Sequence, residues 1–126
     1  MNCRHCTRRG LLGRAQIVKT DAELKGCVDY VRRHPKVRDV LLSGGDVLTL
    51  SDAQVMRFVN AFAALKQIEV IRICTRAPVS NPKRITDRLA RLLAKSGKVW
   101  ANVHINTAAE AKIAAKSAAK LIDRGI

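Results

Sequence analysis

The sequence predicts an α/β fold made of βα repeats around a parallel sheet. Three observations predict it. Apolar residues recur with a helical period in four stretches. Short β-branched runs lie between those stretches. Ser/Thr caps and Gly/Pro breaks punctuate the junctions. Strands that alternate with helices need crossover connections, and hence parallel neighbours.

Thr20 and Glu23 form a capping-box pattern, and Leu24, Cys27, Val28 and Val31 recur at i, i+3, i+4, i+7. This first helix should stop before Pro35. Cys27 lies on its apolar face and is expected in the core, and His34 reads as structural or surface. Val37 to Leu42 reads as a buried strand running into the turn Ser43-Gly44-Gly45-Asp46. Ser51 and Gln54 cap a second helix carrying Val55, Phe58, Val59, Phe62 and Leu65. Ile68 to Cys74 is the second strand, with Cys74 expected to be buried. Asn81 and Pro82 stand where an N-cap and first helical residue belong. The third helix would run through Ile85, Leu89, Leu92 and Leu93 and break near Gly97. Val99 to Ile105 is the third strand. Thr107 and Glu110 then cap an Ala-rich fourth helix that ends near Gly125.

The chain has 126 residues, 48% of them hydrophobic, which is a globular composition for one domain or part of one. Three strands cannot close a barrel, and a full eight-stranded barrel takes about 250 residues. The chain therefore reads as a piece of a larger α/β fold. No apolar run approaches the roughly 20 residues of a membrane span, and the N-terminus lacks a signal-peptide stretch. Cys3, Cys6, Cys27 and Cys74 are too irregularly spaced for a secreted disulfide scaffold, so a reducing cytoplasm is the expected compartment.

The formal net charge is +14. Such a balance suggests a polyanion, and a basic RNA-binding α/β module is the alternative reading of the chain. The distribution argues against it. Arg84, Arg88, Arg91 and Lys95, and then Lys112, Lys116 and Lys120, fall at helical spacing, as solvated helix faces do. Aromatic residues make up only 3% of the chain, too few for base-stacking platforms.

Ligands of parallel α/β folds sit at the C-terminal ends of the strands. Three polar clusters fall there: Ser43-Gly44-Gly45-Asp46, Cys74-Thr75-Arg76, and the stretch from Asn102 through His104 to Asn106. The glycine pair permits positive φ and close backbone approach, and Asp46 adds an acceptor. An ordinary tight turn has the same composition. Neither a P-loop nor a G-x-G-x-x-G fingerprint is present. Cys3 and Cys6 form a C-x-x-C pair that suits an iron–sulfur cluster or zinc, and less well a redox disulfide. Arg4, His5, Arg8 and Arg9 around them would favour thiolates and anionic ligands.

Taken in order, N-C-R-H-C-T-R-R, R-D-V-L-L-S-G-G-D, E-V-I-R-I-C-T-R and V-H-I-N resemble the radical S-adenosylmethionine (SAM) enzymes of the lysine 2,3-aminomutase group. The resemblance covers essentially all of the chain. It implies a partial TIM-like radical SAM barrel, with residues 1–19 as the cluster-binding loop and residues 20–126 as βα units of a partial core domain. It also implies a [4Fe–4S] cluster, S-adenosylmethionine, and pyridoxal 5′-phosphate in the full-length family. Reductive cleavage of the sulfonium gives a 5′-deoxyadenosyl radical, and an amino group then migrates on a small amino acid. Cys3 and Cys6 match the second and third cluster ligands of C-x-x-x-C-x-x-C. His5, Ser43, Gly44, Gly45, Asp46 and His104 match positions around S-adenosylmethionine, and Arg8 matches the arginine that pairs with the substrate carboxylate. Members of the group are often homo-oligomeric.

The chain departs from the group's pattern at several places. The first cluster cysteine would fall two positions ahead of Met1, and the pyridoxal-phosphate lysine beyond Ile126. Val47 replaces a usual proline, and Thr107 a common histidine. Two thiolates hold a cubane poorly, so the chain alone is expected to be inactive as an aminomutase.

Overall fold

The structure, a computed structural model, describes residues 18–126 together with Cys6 and Gly10. Helix α1 (Asp21–Arg33) begins at Thr20 as its sequence requires. The Thr20 hydroxyl accepts the Glu23 N–H at 3.2 Å, and Glu23 accepts the Thr20 N–H at 2.8 Å. The helix closes at His34, whose Nδ1 donates to the Tyr30 carbonyl at 2.7 Å, a structural role as expected.

Strand β1 (Asp39–Leu42) follows, then a 3₁₀ turn at Val47–Thr49 and helix α2 (Asp52–Ala63), capped by Ser51 and Gln54. Strand β2 (Val70–Thr75) leads into a short helix α3 (Ala77–Ser80) and a second 3₁₀ turn at Pro82–Arg84. Helix α4 (Asp87–Ala94), strand β3 (Val99–Val103) and helix α5 (Ala108–Ile122) complete the order. Thr107 caps α5 as predicted.

The third helical stretch differs from its prediction. The Asn81 side chain makes no capping hydrogen bond, and Pro82 opens only the 3₁₀ turn. The longer helix starts at Asp87, where the Thr86 hydroxyl accepts the Leu89 N–H at 3.1 Å. Ile85 is buried at the break between the two. A hydroxyl cap next to a core anchor thus outcompetes the Asn-Pro start. Strands β1 and β3 are also shorter than predicted, beginning at Asp39 and ending at Val103.

The sheet is parallel throughout, in the order β1-β2-β3. Leu41 stands opposite Arg72, and Arg72 opposite Trp100. Alternation along each strand sorts the side chains onto two faces. Leu42, Ile71, Ile73 and Val99 point into a core built with Leu24, Val28 and Val31 of α1, Val55, Val59 and Phe62 of α2, and Leu89 and Leu93 of α4. The row Leu41, Arg72, Trp100 lies on the other face. It is exposed, with Leu41 56% and Trp100 61% open.

Parallel sheets normally carry helices on both faces. Among the described residues helices cover one face of the sheet only, as in one sector of a barrel wall with its helices outside. The architecture agrees with a partial TIM-like barrel. No helix among the described residues is long and apolar enough to cross a membrane.

Two cysteine expectations change. Cys27 is exposed rather than in the core. It lies on the flank of α1 beyond β1, where no further strand stands against it among the described residues, and lines an open cavity with Tyr30 and Leu41. Cys74 is only half-buried because it belongs to the bare face, opposite Asn102.

Candidate functional site

All three strands send their C-terminal ends to one rim of the sheet, and β1 ends in Ser43-Gly44-Gly45-Asp46. Asp46 is 6% exposed and its carboxylate is committed inward. Oδ1 accepts the Leu48 N–H at 3.0 Å and the Thr75 hydroxyl at 2.8 Å. Oδ2 accepts the Arg76 N–H at 2.7 Å. Thr75 Oγ1 in turn accepts the Ala77 N–H at 2.9 Å. Asp46 was expected to offer an acceptor to a ligand. In the structure it starts a 3₁₀ turn and ties the end of β1 to the end of β2.

Ser43, Gly44 and Gly45 are exposed. Neither glycine uses the positive φ that it would permit. Among the described residues only Gly97 and Gly125 do, at +64° and +75°. A Cβ on Gly44 would meet nothing within 4 Å. The turn thus keeps ordinary backbone angles and leaves its own surface clear, which permits close approach of a ligand. Ser43 to Asp46 form one wall of the open cavity, whose volume is about 730 Å³. Its other walls are α1, the outer edge of β1, and Phe58 and Phe62 of α2.

At β3 the backbone N–H of His104 donates to the Thr75 carbonyl at 2.9 Å, which continues the ladder one residue past the strand. The His104 ring contacts Asn106 Oδ1 through Nε2 at 2.6 Å. The Asn106 N–H donates to Glu110 Oε2 at 2.7 Å, and Arg76 pairs with Glu110 Oε1 at 2.8 Å. Asn106 chiefly, with help from Arg76 against some burial, holds the Glu110 carboxyl below its ordinary value. The Arg76 and Glu110 side chains are 17% and 23% exposed.

Ser43, Gly44, Gly45, Asp46 and His104 therefore share one rim. Cys6 is half-buried. Cys3, His5 and Arg8 lie outside the described residues. Among the described residues no three His, Cys, Asp or Glu side chains gather as a metal site.

Arg84 was expected on a solvated stripe, but its side chain is only 18% exposed. It donates to the Leu48 and Leu50 carbonyls, both at 2.8 Å, and pairs with Asp52. It braces the loop after Asp46. The other stripe residues on α4 and α5 are exposed as expected, except Lys120, which is partly buried.

Residues 1–125 match the Radical SAM superfamily. The whole chain is 41% identical to the L-lysine 2,3-aminomutase of Methanococcus maripaludis and 40% identical to that of Acetoanaerobium sticklandii. It is 35% identical to the glutamate 2,3-aminomutase of Clostridioides difficile. It spans 29%, 31% and 30% of those relatives, less than a third of each. A match of this extent, on a parallel sheet whose polar turns gather at one rim, places the chain in the radical SAM superfamily.

Proposed function

We propose that this chain is part of the catalytic core of a radical SAM 2,3-aminomutase acting on lysine or a similar small amino acid. One observation carries the reading. The Ser43–Asp46 turn, the Thr75–Arg76 strand end and His104 occupy one rim of a chain that is 41% identical over its whole length to an L-lysine 2,3-aminomutase. The donor set fits the implied groups. Thiolates of the type supplied by Cys3 and Cys6 are the usual ligands of a [4Fe–4S] cluster. The uncovered backbone at Gly44 suits contact with the methionyl part of S-adenosylmethionine. When bound, the cluster and S-adenosylmethionine would supply one-electron reductive chemistry at a sulfonium, and pyridoxal 5′-phosphate would supply a carbonyl group for the substrate amine.

The chain's own residues bind and orient. Cys3 and Cys6 would hold iron. Ser43, Gly44 and Gly45 would line the amino-acid end of S-adenosylmethionine, with Asp46 keeping their turn in place. His5 and His104 would face its nucleoside end. Arg8 would pair with the substrate carboxylate, a charge-assisted contact suited to a guanidinium. The proposed setting is the cytoplasm.

The test adds Cys-Ser ahead of Met1, which completes C-x-x-x-C-x-x-C, followed by anaerobic reconstitution with iron and sulfide. A brown protein with about four irons, losing colour in Cys6→Ala, is expected for a cubane. A colourless, iron-free product would overturn the reading.

A further inference from the structure

Leu41 and Trp100 stand at the two ends of one row on the sheet face that none of the described helices covers, with Arg72 between them. Adjacent strands lie about 4.8 Å apart, so the two side chains start about 10 Å from each other across the row. Beyond the β1 edge lies the open cavity, lined by Leu41 together with Cys27, Tyr30 and Val31 of α1. One end of the row thus carries a large aromatic side chain and the other an apolar recess. A two-fold axis through the middle strand brings the Trp100 of each copy onto the Leu41 end of the other, the reciprocal contact that an isologous interface requires.

Charge selects the same surface. The chain carries 24 Lys and Arg against 10 acidic residues. Arg91 and Lys95 of α4 and Lys112 and Lys116 of α5 are exposed, so two copies meeting through those helices would repel. On the bare face Arg72 is paired with Asp39, and Leu41, Trp100 and Asn102 carry no charge. The area is also sufficient. The chain has an accessible surface of 8223 Å². A compact monomer of this size has about 6,700 Å², so the surplus is about 1,500 Å². That is about what a standard interface buries in total. Tryptophan is among the residues enriched in the cores of such interfaces.

We propose that the sheet face bearing Leu41, Arg72 and Trp100 binds a second copy of this chain, the Trp100 of each seating on the Leu41 end of the other. Trp100 is the anchor, Leu41 and the recess beside it receive it, and the Asp39–Arg72 pair keeps the middle of the face free of net charge. Added salt strengthens the pairing, because it screens the repulsion that remains between two cationic chains. The pairing does not depend on the function proposed above.

The experiment is sedimentation equilibrium of the full chain in reductant, which removes any disulfide through the exposed Cys27, from micromolar to submillimolar concentration. A monomer–dimer equilibrium is expected, tighter at higher salt, with Trp100 emission moving to the blue as the dimer forms. Trp100→Ser and Leu41→Ser should each weaken association by about tenfold or more, as the loss of an interface anchor does. Ile122→Ser, an equally apolar loss on the exposed side of α5, should leave it unchanged. Both face residues are exposed, so neither substitution opens the core. Circular dichroism confirms that each variant is folded, and if one unfolds the other decides. A monomer throughout the range, open-ended aggregation in place of a dimer, or a dimer that folded face variants leave intact would overturn the proposal. So would an Ile122→Ser effect as large as theirs.

Discussion

The Asp46 carboxylate accepts the Thr75 hydroxyl at 2.8 Å, so two neighbouring strand ends are joined by side chains beyond the last rung of their ladder. Asp46→Ala would orphan that hydroxyl and the Leu48 and Arg76 N–H groups in a site that is only 6% exposed. A buried donor without a partner costs about 1–3 kcal/mol. The unfolding free energy should fall by about 3 kcal/mol or more in urea titration. A loss below about 1 kcal/mol would mean that water replaces the carboxylate.

Gly97 and Gly44 should respond oppositely to alanine. Gly97 has φ +64°, so Gly97→Ala is strained although the space is open. It should cost about 1–2 kcal/mol. Gly44 has ordinary φ and an equally open surround, so Gly44→Ala should change stability by less than about 0.5 kcal/mol. Thermal melts compare the two. If the proposed function holds, Gly44→Ala weakens S-adenosylmethionine binding without destabilising the fold.

Glu23 gives the fold an acid-sensitive point. Its bond with Lys19 chiefly, and then its bonds with the Thr20 backbone and hydroxyl, hold its carboxyl at about 2, against an ordinary 4.5. A depressed folded-state value favours the folded protein above the unfolded value. That contribution declines as pH falls from about 4.5 and is gone below about 2. Carboxyl NMR should find Glu23 titrating last among the glutamates. Glu23→Gln should flatten the stability profile within that window. An ordinary titration midpoint for Glu23 would refute both expectations.

Core and surface truncations should separate cleanly. Leu89 on α4 is fully buried, and Leu89→Ala should cost about 2–5 kcal/mol. Ile122 is 68% exposed, and Ile122→Ala should stay within about 0.5 kcal/mol. Equal effects in chemical denaturation would contradict the one-sided core.

Local signals in the sequence specified most of the fold. Thr20, Ser51 and Thr107 cap helices where their patterns placed them, because a hydroxyl three residues before a Glu or Gln is a self-contained motif. Asn81-Pro82 carries an equally local signal, yet the helix starts after Thr86 because Ile85 is drawn into the core, which no cap rule encodes. Cys27 has perfect helical spacing, but spacing cannot say whether a strand stands opposite. At the rim, Ser43–Asp46 and His104 were legible as strand-end polar residues. The bracing by Arg84 and the Arg76–Glu110 pair join residues more than 30 positions apart, and only the packed structure brings them together.

Trp100 is the only tryptophan in the chain, and it stands on the uncovered face of the sheet. Its fluorescence is therefore a gauge of that face. Anything laid across Leu41, Arg72 and Trp100 would carry the indole from water into apolar surroundings and shift its emission. Loosening of the core behind the sheet would leave it nearly unchanged. The molecule thus holds an optical reporter on a sheet face that none of the described helices covers.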